Sequence, residues 1–289
     1  MMLSPARAGL QLKIEKAVHI ISQFNGAVVA LSAGVDSSLV AVLARKALGD
    51  RVLAVTAVSE SLAPGEIEIA KKTARQIGIK HLTVATDEMH NASYKANPSN
   101  RCYYCKDTLY RELRRQADKS RFEAILDGTQ LDDLGEIRPG LLAAREAGVR
   151  SPLAEAGFSK KDVRETAQLL ELEVWDKPAM PCLSSRIPHG EEITVEKLSQ
   201  VGEAESIVKR LSGARDIRVR HHGAVAAIEV SQEELELFHQ DGLMNQVEKK
   251  LRLIGFTTIT LGPRKYPNRQ ETVALGQDHL LPIIKTSNH

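Results

Sequence analysis

The sequence predicts an α/β protein: a parallel sheet with helices on both faces, followed by a smaller α+β domain. Three observations predict it. From Ala27 to Gly128, short apolar runs of five to eight residues alternate with stretches of helical period, the pattern of strands joined by helical crossovers. The runs are rich in Val, Ile and Leu without a polar alternation, as strands covered on both faces are. After Gly190 the texture shifts to charged helices mixed with short strands.

The elements follow in order. Leu12, Ile14, Val18, Ile21 and Phe24 mark an amphipathic helix near the N-terminus. AVVAL (27–31) is a strand, SSLVAVLARKAL (37–48) a helix, and RVLAVTAV (51–58) a second strand. GEIEIAKKTARQIG (65–78) is a helix that Gly78 ends, and KHLTVAT (80–86) is a third strand. CKDTLYRELRRQAD (105–118) is helical and EAILDG (123–128) a fourth strand. Ligands of such sheets lie beyond the carboxyl ends of the strands. The loops after Leu31, Val58 and Leu126 are therefore the places for chemistry. Beyond SRIPHGEEI come a charged helix (194–213), two strands around His222-Gly223 within DIRVRHHGAVAAIEV (216–230), further helix, and a strand over FTTITLG (256–262). The domains are expected at 1–190 and 191–289, the second for substrate binding and oligomerisation.

Composition excludes some classes. With 289 residues, 43% hydrophobic and 26% charged, the chain is an ordinary globular protein long enough for two domains. A net charge of +2, with Lys and Arg scattered, asks for no nucleic-acid partner. No apolar run approaches the ~20 residues of a membrane helix, and the N-terminus lacks a signal-peptide core, so a cytoplasmic protein is expected. In that compartment the Cys-x-x-Cys of NRCYYCK (Cys102, Cys105) reads as metal-binding or redox-active rather than as a structural disulfide.

LSAGVDSS (31–38) joins the first strand to the first helix. Ser32, Ala33 and Gly34 are small enough for close approach of an anion to the backbone, and the free N–H groups of the next helix point at the loop. Ser37 and Ser38 add hydroxyls, and Asp36 could carry a Mg²⁺. No Gly-Lys-Ser/Thr follows, so it is not a Walker A loop. A plain helix cap is the competing reading. At the end of the fourth strand, Asp127, Gly128, Thr129, Asp132 and Asp133 form a polar cluster that an Asx-type turn also explains.

SAGVDSS resembles the Ser-Gly-Gly-x-Asp-Ser loop of the PP-loop ATP pyrophosphatases, which cleave ATP between the α and β phosphates and adenylate a substrate oxygen. The resemblance implies the adenine nucleotide alpha hydrolase-like fold, with ATP and Mg²⁺ held by Ser32, Ala33, Gly34, Asp36, Ser37, Ser38, Asp127 and Thr129. Ala33 replaces the first glycine, where a backbone at φ > 0 is in question.

NPSNRCYYCK, DGTQLDD, RPGLLAAREAGVRSPLAEAGFSKKDVR, KPAMPCLSSRIPHGEEIT and RVRHHGAVAAIEV together resemble the LarE family over most of residues 15–260. That resemblance implies an ATP-dependent sulfur transferase. It adenylates carboxylates of pyridinium-3,5-biscarboxylic acid mononucleotide and converts them to thiocarboxylates, on the way to a nickel-pincer nucleotide. It further implies catalytic roles for Cys182, Ser185 and Arg186, and a substrate site with Arg218, Arg220, Glu205 and Glu229. Arg218 and Arg220 alternate along one strand and so share a face. The implied partners are a nucleotide substrate, nickel-insertion and carboxylase proteins of the same pathway, and further copies of the chain. Gln130 stands where the family has Asn, and PRKYPNRQETVALG (263–276) departs from the family's Gly-Tyr-rich ending.

Cys182 has three readings. Between Pro181 and a polar Ser-Ser-Arg run it is poorly placed for a core. By resemblance it is either a sacrificial donor, losing its sulfur and becoming dehydroalanine, or one of three ligands, with Cys102 and Cys105, of a [4Fe–4S] cluster whose open iron takes a sulfide. Since the chain places all three of its cysteines here, the cluster is the favoured expectation, ahead of the donor. Zinc, with His189 as fourth ligand, comes last. A tRNA thiolase and a non-catalytic nucleotide-binding regulator are the alternative functions. The first calls for a basic or zinc-binding appendage, and the second for decay of the site at Ala33 and Gln130.

Overall fold

The computed structural model describes residues 5–135 and 138–264, and divides into two compact units. Of the described residues, the first holds those up to Cys182 together with His189–Thr194; the second holds Leu183–Pro188 and those from Val195 on. The division is thus not a single cut near Gly190: Ser185 and Arg186 go with the second unit.

The first unit runs α1 (Pro5–Ser22), β1 (Ala27–Ala30), α2 (Val35–Leu48), β2 (Val52–Val58), α3 (Glu66–Ile77), β3 (Lys80–Ala85), α4 (Ala92–Lys95), α5 (Arg101–Ser120), β4 (Ala124–Leu126), α6 (Pro139–Glu146), α7 (Pro152–Ala156) and α8 (Lys160–Leu169). Its four strands lie in the order β3-β2-β1-β4, all parallel. Successive residues of a strand face opposite sides, and the core divides accordingly. Ala27 and Val29 of β1, with Val52 and Ala54 of β2, pack with residues of α1, α2, α3 and α8. Val28, Val55 and Ile125 pack with Tyr110, Leu113 and Ala117 of α5 and Ala143 and Ala144 of α6. Both faces are covered, which is why the strands read as unbroken apolar runs. β1 lies between β2 and β4, so the loops leaving β1 and β4 diverge from neighbouring strand ends. That is the crevice at which open α/β sheets bind ligands.

The second unit runs α9 (Val195–Ser212), β5 (Arg218–His222), β6 (Val225–Val230), α10 (Leu243–Leu253) and β7 (Thr258–Pro263). β5 and β6 are an antiparallel hairpin, and β7 joins β6 in parallel. Val219, Ala226, Ile228 and Val230 face a core closed by Ala204 and Val208 of α9 and Val247 and Leu251 of α10. The alternate positions, Arg218 and Arg220, take the other face of β5.

Element bounds move slightly from the sequence reading, with one consequence. The helix expected from Cys105 begins at Arg101, so Cys102 as well as Cys105 lies inside α5, both at its start. No helix among the described residues is long and apolar enough to cross a membrane.

Candidate functional site

The loop between β1 and α2 is built on an uncommon backbone. Ala33 has φ 60°, the left-handed region that costs a non-glycine residue about 1–2 kcal/mol. Its methyl is fully buried beside Leu31 and Val35, and one buried carbon recovers roughly 0.8 kcal/mol. The remainder has to come from bonds that hold the loop. Several are visible. Ser37 Oγ donates to the Gly34 carbonyl at 3.0 Å and accepts from the Ser32 N–H at 3.1 Å, while Ser38 Oγ donates to the same Gly34 carbonyl at 2.8 Å. Lys177 Nζ donates to the Ala33 carbonyl at 3.0 Å and to Glu66 Oε2 at 2.5 Å. The departure from glycine therefore leaves the turn intact. The hydroxyls of Ser37 and Ser38, read as ligand donors, fold the loop onto itself.

Asp36 opens the first turn of α2, and Lys160, first residue of α8, holds it: Nζ lies 2.7 and 2.5 Å from the two carboxylate oxygens. A carboxylate is the right donor for Mg²⁺, and in this structure the ammonium neutralises it. Gly128 packs so closely on the start of α2 that a Cβ there would sit 2.7 Å from the Ser37 nitrogen. Only glycine lets the loop after β4 meet the loop after β1.

Asp127 is less available than the sequence suggested. Its two oxygens accept from Tyr110 Oη (3.1 Å), the Thr129 N–H (3.1 Å), Thr129 Oγ1 (3.0 Å) and Ser151 Oγ (2.7 Å). It knots β4 to its surroundings, and Thr129 spends its hydroxyl on it. Gln130 serves its own turn. Its side-chain oxygen accepts from the Asp132 N–H at 2.8 Å, and Asp133 in return accepts from the Gln130 N–H at 3.1 Å. The pair caps a short turn over Leu131–Asp133.

The cysteines gather in the first unit. Cys102 is exposed, Cys105 and Cys182 half-buried. Burial pushes the Cys105 thiol up to about 12; the buried carboxylate of Glu88 and the neighbouring Cys182 and Cys102 add to the shift, against Lys106. Cys105 thus lies close enough to both other thiols to feel their charge. Among the described residues, however, no three His, Cys, Asp or Glu side chains stand ready to hold a metal ion. The residue types suit an iron–sulfur cluster, in which each thiolate binds a different iron.

In the second unit the predicted residues converge on an arginine cluster. Arg186, 1% exposed, places Nε 2.7 Å and Nη2 3.2 Å from the carboxylate of Glu205 and donates from Nη1 to Ser185 Oγ at 2.8 Å. Glu205 also accepts from the Val219 N–H at 3.0 Å. Arg186 and Glu205 are therefore a buried pair tying the Leu183–Arg186 turn to α9 and β5. Arg220 donates to Glu229 at 3.0 Å and to the Ser185 carbonyl at 2.6 Å. Arg264, which the sequence did not single out, is buried and ion-paired with Asp216. Its only signal was an arginine just past the last strand. The Nε of Arg218 is buried without a hydrogen-bond partner. Burial lowers the guanidinium's pKa, and the charges of Arg264, Arg186 and Arg220 lower it further. An arginine stays ionised regardless, so an anion placed here would relieve both effects.

Comparison with known proteins agrees with this layout. Residues 8–123 match the NAD synthase family. An uncharacterized protein of Synechocystis sp. is 46% identical over 257 residues, covering 89% of this chain and 96% of its own length. An uncharacterized protein of Methanocaldococcus jannaschii is 27% identical over 83% of this chain and 90% of its own length. The pyridinium-3,5-bisthiocarboxylic acid mononucleotide synthase of Lactiplantibacillus plantarum is 36% identical over 255 residues, 88% of this chain and 91% of that protein. With a PP-loop strand–turn–helix at the sheet's switch point and this extent of shared sequence, the chain belongs to the LarE family of PP-loop, ATP-utilising enzymes.

Proposed function

We propose that the protein adenylates a carboxylate of pyridinium-3,5-biscarboxylic acid mononucleotide with ATP and replaces the adenylate by sulfur, giving the thiocarboxylate. The observation that carries the reading is Arg218. Its guanidinium, with Nε buried and unbonded and three further arginines crowding it, is suited to a phosphate-bearing substrate.

The chemistry has two steps. A carboxylate is a poor electrophile; its oxygen attacks the α-phosphorus of ATP, pyrophosphate leaves, and the acyl-adenylate has AMP as a good leaving group. The N–H groups at the start of α2 and the Gly34 N–H are the donors proposed for the polyphosphate. Asp36 is the residue for the accompanying Mg²⁺, which would neutralise phosphate charge once Lys160 yields the carboxylate. Ser185 is the polar group of the turn offered to substrate. Arg186, buried against Glu205, is better read as holding that turn than as touching the reacting phosphates.

Two sulfur sources fit, each favoured by a different observation. The place of Cys182, a free half-buried thiol directly before the Leu183–Arg186 turn, favours Cys182 itself. Its thiolate attacks the acyl carbon and expels AMP. A base then removes the Cα proton, the Cβ–S bond breaks, and dehydroalanine remains in the chain with sulfur on the product. The grouping of all three cysteines favours a cluster held by Cys102, Cys105 and Cys182, which when bound would supply a sulfide and allow repeated turnover. Iron and acid-labile sulfide on anaerobically reconstituted protein separate them. About four irons per chain with a charge-transfer band supports the cluster. No iron, with dehydroalanine at position 182 after one turnover, supports the donor.

A further inference from the structure

Lys177 is a mostly buried lysine, and its ammonium bridges two groups far apart in sequence: the Ala33 carbonyl at 3.0 Å and the Glu66 carboxylate at 2.5 Å. Glu66 is itself buried at the first turn of α3. Ala33 is one of four non-glycine residues with positive φ among the described residues, and the one in the phosphate loop. We propose that Lys177, clamped by Glu66, is a positioning residue that holds the Ala33–Gly34 peptide in the orientation that binds ATP. This role rests on the reading of the loop as the ATP site.

The reasoning is conformational. A residue leaving the left-handed region for negative φ swings its own carbonyl, and a charge-assisted bond to that carbonyl opposes the swing. In a trans peptide the C=O and N–H point in opposite directions. With the Ala33 oxygen held by Lys177, the Gly34 N–H is therefore fixed to face away from Lys177, and Gly34 is the residue immediately before α2. A glycine at position 33 would adopt the same turn without strain. An alanine there, with its methyl buried, needs an external hold, and Lys177 with Glu66 is that hold. Glu66 keeps the ammonium aimed at the Ala33 carbonyl.

The test is ATP affinity, measured by equilibrium binding of ATP with Mg²⁺ to the full chain, so that no sulfur chemistry is required. Removing Lys177 alone strands the Glu66 carboxylate and risks unfolding, so the variant is Lys177→Met with Glu66→Gln. It is expected to keep its fold by circular dichroism and to bind ATP about tenfold more weakly, the loss expected for one charge-assisted bond. Adding Ala33→Gly is expected to restore most of that affinity, a rescue that a merely structural role for Lys177 would not produce. Unchanged affinity in the double variant would overturn the proposal, as would a loss that Ala33→Gly does not recover. Wild-type protein that binds no ATP would instead refute the reading of the loop, and this role with it.

Discussion

Arg218 belongs to a group of four arginines in which three acids are taken by the others: Glu205 by Arg186, Glu229 by Arg220 and Asp216 by Arg264. The surplus positive charge is what suits the cluster to an anion. Arg218→Ala is expected to raise the KM for the mononucleotide ten- to a hundredfold, the worth of a charged hydrogen bond, while leaving the KM for ATP within about twofold; steady-state kinetics on both substrates checks it. Glu205 is a different case. Glu205→Leu leaves Arg186 charged and buried, and losing one partner of such a pair costs about 3–5 kcal/mol, measurable by urea unfolding of the second unit. Cys105 gives a pH prediction. Its thiol, pushed up to about 12 from an ordinary value near 9, is protonated at pH 8, so iodoacetamide is expected to label exposed Cys102 well before Cys105, read by peptide mass. The sign for stability follows. The folded state holds the proton more tightly, so the stabilisation is complete below about pH 9 and is lost as pH rises towards 12.

At the scale of elements, the loop after β1 and the loop after β4 meet at Gly128. Gly128→Ala puts a methyl 2.7 Å from the Ser37 nitrogen at the start of α2, where the obstacle is backbone and cannot swing aside. About 1–3 kcal/mol of stability and at least tenfold in ATP affinity are the expected losses, by thermal melt and ATP titration. Much of this arrangement was legible in the sequence. Unbroken runs such as AVVAL and RVLAVTAV announced strands covered on both faces, and alternation in RVRHH put Arg218 and Arg220 on one side. What was not legible depends on contacts across many residues. Nothing in LSAGVDSS says that Lys177, 144 positions on, would hold the Ala33 carbonyl. Nor does DGTQ say that Tyr110 and Ser151 would engage Asp127. Asp36 looked open because its partner, Lys160, lies at the start of α8. Arg264 escaped notice because one basic residue beyond a strand carries no periodic signal. The departure from the family pattern in 263–276 lies, apart from its first two residues, outside the described residues.

At the scale of the whole molecule, the residues of the proposed reaction fall in two units. The first carries the phosphate loop and the three cysteines; the second carries the arginine cluster and the Ser185 turn. Cys182 is the last residue of the first unit's long stretch and Leu183 opens the second, so the sulfur-bearing residue and the turn bearing Ser185 are joined by the chain itself. A tRNA thiolase would direct the same ATP chemistry to a base carbonyl, and a regulator would bind nucleotide without consuming it. The measurement that separates these from the proposed function is the formation of AMP and pyrophosphate from ATP with pyridinium-3,5-biscarboxylic acid mononucleotide present or withheld. The account predicts equal amounts of AMP and pyrophosphate, formed only when the mononucleotide is supplied. ADP and phosphate, or no cleavage of ATP beyond the level without mononucleotide, would contradict it.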